Sequence, residues 1–91
     1  MSARLLRCEV RPGMFDTEFL VLIDVPGKGV ITSFFVDQHH VEVDETPTRE
    51  RPVIGRLRVD AHEEGDEAVV MLPVQASDFH TIGVPKTLLA V

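Results

Sequence analysis

The chain has no tryptophan and no tyrosine, and five phenylalanines (Phe15, Phe19, Phe34, Phe35 and Phe79) are its only aromatics. A sugar- or base-stacking surface loses its usual material. There is one cysteine, Cys8, so no disulfide can close within the chain. Small secreted domains normally carry several bridges, and their absence points to a reducing, cytoplasmic setting. No segment approaches the roughly 18 apolar residues of a membrane-spanning helix. The N-terminal stretch around Arg4 and Arg7 lacks the apolar core of a secretory signal. Basic residues are also few, nine against fifteen acidic ones, and the formal charge of −6 opposes non-specific binding to nucleic acid or anionic lipid.

What is present is β-strand signal. Leu5 to Val10 sets Leu6, Cys8 and Val10 against Leu5, Arg7 and Glu9, the period-two alternation of a half-buried strand. Phe19 to Val25 is apolar nearly throughout and reads as a strand covered on both sides. Pro26-Gly27 has the residues of a type II turn, with Gly29 to Val36 as the return strand. Asp37 then suits the cap of a single helical turn before Val41 to Val43. Asp44 to Pro52 is polar and carries Pro47 and Pro52, as a linker would. Val53 to His62 alternates again, with Ile54, Leu57 and Val59 as its apolar set. Glu63-Glu-Gly-Asp66 makes an acidic turn, Glu67 to Val74 a strand, Gln75 to Asp78 a hairpin turn, and Phe79 to Val84 its return. Pro85 can open a second helical turn.

The second half echoes the first. A shift of about 49 residues lays Arg7 and Val10 on Arg56 and Val59, and Glu18–Val25 on Glu67–Val74; after a one-residue slip, Phe34–Val36 falls on Ile82–Val84 and His40–Val43 on Leu88–Val91. The expected product is one all-β domain of 91 residues, a small six-stranded, closed or partly open β-barrel, with a two-sheet sandwich as the alternative. Its two tandem halves, 4–43 and 53–91, flank the linker 44–52, each with one short helical turn.

Two strings bear on the barrel type. Glu64-Gly65-Asp66 before an apolar strand resembles the Gly-Asp turn of the cradle-loop β-barrels, and Val84-Pro85-Lys86-Thr87-Leu88 resembles the strand-to-helix step of swapped-hairpin DNA-binding regulators. In those regulators the Pro-Lys step precedes the Gly-Asp turn; here it follows. The resemblance therefore implies a barrel of that general kind and not the regulators' activity.

Little in the chain signals chemistry. Ser33, Ser77 and Thr81 lie in no nucleophile-elbow pattern, and Gly27, Gly29 and Gly65 form no phosphate loop before a helix. Cys8 shares a face with Leu6 and Val10, the place of a small buried hydrophobe. No metal-ligand spacing such as His-x-His or Cys-x-x-Cys occurs. His39 and His40, if on an extended strand, would point to opposite faces, which leaves His40, His62 and His80, with Asp37 or Glu63, as the metal candidates. Arg4, Arg7 and Arg11 at the start, and Arg49, Arg51, Arg56 and Arg58 at the middle, are the candidates for an anion or nucleic-acid patch if folding brings them to one side. These features lead to a non-enzymatic module without a cofactor, one that binds a protein partner or a second copy of itself; the alternatives are a nucleic-acid-binding barrel that uses the clustered arginines, or a barrel that binds a small ligand or a metal at its mouth.

Overall fold

The computed structural model describes residues 2–25, 30–73 and 81–90. The Pro26-Gly27 turn, the Gln75–Asp78 turn, Phe79 and His80 lie outside the described residues. The strands are β1 (Ser2–Pro12), β2 (Glu18–Val25), β3 (Val30–Asp37), β4 (Val41–Glu42), β5 (Val53–Glu64), β6 (Glu67–Met71), β7 (Thr81–Pro85) and β8 (Leu89–Ala90). Single 3-10 turns, Gln38–His40 and Lys86–Leu88, lead into β4 and β8. The anticipated side-chain cap from Asp37 is not made; Asp37 is extended there, at φ −63° and ψ 143°.

The order β3-β2-β1-β5-β6-β7 defines a curled six-stranded antiparallel half-barrel. Its spine is the β1–β5 ladder, running from Ser2 opposite Ala61 to Val10 opposite Val53. The outer edge of β1 is shared between β2, which pairs with Glu9 to Pro12, and β8, which pairs with Leu5 and Leu6. The outer edge of β5 is shared likewise by β6, from Asp60 to Glu64, and β4, at Arg56 and Leu57. Among the described residues no helix is long and apolar enough to cross a membrane.

The concave face holds one aliphatic core. Leu6, Val10, Val21, Leu57, Ala68 and Val70 are completely buried, with Cys8, Ile23, Val59, Val84 and Leu89 packed among them. Period-two geometry explains the set, because alternate side chains of each strand meet inside the curl. Phe19 joins the core and Phe34 packs at its margin, but Phe35 is 46% and Phe15 69% exposed. Among the described residues the convex face carries no second layer, so β2 is covered by them on one side only. Phe19, Val21 and Ile23 are buried while Leu20 and Leu22 are half-exposed. Ile54 also faces out, at 55% exposure, because Leu57 sets the phase of β5 and puts Gly55 on the inner side. The segment 44–52 is pinned rather than merely polar: Thr48 and Arg51 exchange backbone hydrogen bonds of 3.1 Å each, and Pro47 is buried. Gly65, at φ +61°, closes the β5–β6 hairpin in the left-handed region that glycine tolerates.

Candidate functional site

Among the described residues, polar side chains gather on the convex face of the β1–β5 spine, in a shallow groove beside it, and at the turn after β3. On the spine, odd positions of β1 and even positions of β5 point outward. Arg7 therefore stands directly opposite Arg56 in the ladder, with Arg58 and Arg11 on the same face. Four of the seven candidate arginines thus share one face. Arg4 turns to the other face, where its Nη1 donates to Glu63 Oε1 at 3.2 Å, and Arg49 and Arg51 are exposed between β4 and β5.

Charge pairing blunts the patch. Arg11 Nε contacts Glu9 Oε2 at 2.8 Å, Arg56 contacts Asp44 at 3.4 Å, and Arg58 contacts Glu42 at 3.6 Å. Among the described residues Arg7 makes no such pair. It lines a groove of about 450 Å³ with Cys8, Glu9, Arg11, Leu22, Asp24, Ile54 and Leu88. This groove lies where β2 has left the edge of β1 and β8 has yet to join it. Two arginines against two carboxylates leave it without net charge, a poor grip for a polyanion.

Cys8 borders that groove, but its side chain belongs to the core at 4% exposure. Burial pushes its thiol up to about 12 from an ordinary 9.0, outweighing a backbone hydrogen bond with Leu57 that acts the other way. A thiol held neutral is no nucleophile at physiological pH. Native protein at neutral pH will leave Cys8 unmodified by Ellman's reagent, and one thiol per chain will react after denaturation in guanidinium. Rapid native labelling would show that the thiol reaches solvent.

The histidines fall otherwise than the sequence suggests. His39 and His40 lie on the 3-10 turn, not on an extended strand, and their ring centroids are 4.1 Å apart. The ligand atoms of Asp37, His39 and His40 all come within 4.8 Å of one another, the sole such grouping of three or more among the described residues. His62 does not join them: it stands on β5 beside Glu64, 3.7 Å away. His39 drops out of the metal candidates only when the pair is taken as extended, a geometry at odds with the helical turn expected after Asp37. Asp37 at the cap position was the available signal that the two rings would share a side.

Comparison with known protein families, with curated proteins and with solved structures finds no match to this chain.

Proposed function

We propose that the protein is a non-enzymatic interaction module that pairs with a second copy of itself along the β3 edge. The observation that carries this reading is the make-up of that edge. Among the described residues β3 has one strand neighbour, β2, across eight residue pairs from Glu18–Asp37 to Val25–Val30. Natural edge strands are usually protected by lysines, prolines, bulges or short length. From Val30 to Val36 this strand has no charge and no proline, and its ladder with β2 runs without a bulge. Its convex side also presents Phe35, in register with half-exposed Leu20 and adjoining Leu22. The opposite end of the sheet is better protected, since β7 contains Gly83 and Pro85. A two-fold pairing of β3 with β3 would cover both edges at once, the self-complementary arrangement that a dimer needs.

The same reading takes the two halves as copies of one unit, together closing a small barrel through β4 and β8. What supports it is that one correspondence satisfies every ladder. With Leu6 equivalent to Leu57, the pair Glu9–Leu22 maps onto Asp60–Met71, Val21–Phe34 onto Val70–Ile82, and Val41–Leu57 onto Leu89–Leu6. The buried residues follow the same rule, with Cys8 matched to Val59, Val36 to Val84 and Val41 to Leu89. The first strand of each half is therefore out of step with the sequence match by two positions. Arg7 corresponds to Arg58, not to Arg56. A pseudo-dyad would then pass between Leu6 and Leu57.

Sedimentation equilibrium or native mass spectrometry of untagged protein tests the dimer. The expected species is twice the 10.1 kDa chain mass, and Phe35→Lys, which puts a charge on the edge, is expected to return a folded monomer. A monomeric parent protein, or a dimer indifferent to Phe35→Lys, would overturn the reading.

A further inference from the structure

We propose that the turn after β3 binds one divalent transition-metal ion of the zinc class through Asp37, His39 and His40. The backbone makes this possible. Adjacent side chains on a strand diverge, whereas a 3-10 turn advances three residues per revolution, and here the two imidazoles lie against each other. Asp37 comes immediately before the turn, and no cap hydrogen bond occupies its carboxylate. The three ligand atoms already lie within 4.8 Å of one another. Ligands at about 2.0–2.2 Å from a tetrahedral zinc sit roughly 3.4 Å apart, so the site needs to close by up to about 1.4 Å, which rotation of the exposed Asp37 and His39 and the half-buried His40 can supply.

The support beneath the turn is fixed. Gln38 N donates to Thr17 O at 3.0 Å, Gln38 Nε2 donates to Asp16 O at 2.6 Å, and Val41 N donates back to Gln38 O. Among the described residues the side chains of Asp37, His39 and His40 make no hydrogen bond or ion pair, so no existing contact has to break for a metal to enter. The hollow beside them holds a second carboxylate, Glu18, and among the described residues no lysine or arginine lines it. Glu18 Oε1 accepts the Met14 amide at 3.1 Å, which places this group as added negative charge. Two imidazoles with one carboxylate favour zinc, cobalt, nickel or copper over calcium or magnesium, which seek mainly oxygen ligands. The counterpart turn, Lys86–Leu88, has no ligand-type side chain and serves as an internal contrast.

The test is a calorimetric titration of untagged protein with zinc chloride, paired with the visible spectrum of the cobalt(II) form. The expected result is one ion per chain and a ligand-field band that chelator abolishes. His39→Ala and His40→Ala should each weaken binding about tenfold or more, Asp37→Asn should weaken it measurably, and His62→Ala should leave it unchanged. Asp37, His39 and His62 are exposed and His40 is half-buried, so the metal-free melting curves of the first three variants should match the parent and that of His40→Ala should fall little. Absence of binding, binding that survives loss of both His39 and His40, or equal sensitivity to His62→Ala would overturn the proposal.

Discussion

Replacing Leu57 by alanine will cost about 2–5 kcal/mol of folding free energy, out of the 5–15 kcal/mol typical of a single domain. Leu57 is completely buried, stands opposite the equally buried Leu6 in the central ladder, and pairs on its other side with Val41 of β4. The cavity left by alanine would open where three strands meet, and a ladder on each side keeps β5 from collapsing into it. Urea denaturation followed by far-ultraviolet circular dichroism measures the loss as a lowered midpoint with an unchanged slope. Ile54→Ala is the control on the same strand. Ile54 is equally apolar but faces outward at 55% exposure, and its removal is expected to cost under about 1 kcal/mol. Equal effects of the two substitutions would contradict the orientation of β5 and with it the position of the core.

That orientation marks where the sequence is readable and where it is not. β1 is legible because Leu6, Cys8 and Val10 alternate without interruption, and all three are buried. The β5–β6 turn is legible because Gly65 meets a backbone demand that few other residues meet, and the two 3-10 turns because Asp37 and Pro85 stand at their starts. β5 is harder to read. Its apolar letters at Val53, Ile54, Leu57 and Val59 fit two phases, and the inner position between them is held by Gly55, which contributes nothing to a hydropathy pattern. An apolar run such as β2 does not reveal that only one of its faces is covered. The ion pairs are less legible still. Arg4 and Glu63 lie 59 positions apart and meet only through the β1–β5 register. The arginines thus read as a cationic group in one dimension and as mostly neutralised partners in three. The metal candidates shift for a related reason: His40 is retained, but its neighbours are set by a turn of three residues and not by strand alternation.

Gly55→Val is expected to destabilise the protein by more than its place in a strand would suggest, and the sign decides the cause. In an ordinary strand, glycine weakens the sheet and a β-branched replacement strengthens it. At Gly55 an added Cβ would lie 2.7 Å from Val10 Cγ2, 2.9 Å from Glu42 O and 2.9 Å from Val43 Cγ1. Val43 is only partly buried and can rotate away, but Val10 is completely buried and stiff at χ1, and Glu42 O is backbone in β4 that moves only if β4 moves. Overpacking of this kind costs about 1–3 kcal/mol even for a small added group, and valine adds two methyl groups to the clash. The strain should appear first as loss of the two β4–β5 pairs, Val41–Leu57 and Glu42–Arg56, and of the Arg58–Glu42 contact that depends on them. Amide hydrogen exchange should therefore quicken at Val41 to Val43 and at the facing residues of β5, while β2 and β3 keep their protection. Gly55→Ala should show the same pattern in milder form. Adding Val10→Ala to it should recover little, because that change relieves the side-chain clash and leaves the carbonyl contact in place. Gly55→Ala melting at or above the parent temperature would mean that β4 does not approach β5 this closely, and the crossover that carries β3 back to the spine would have to be redrawn.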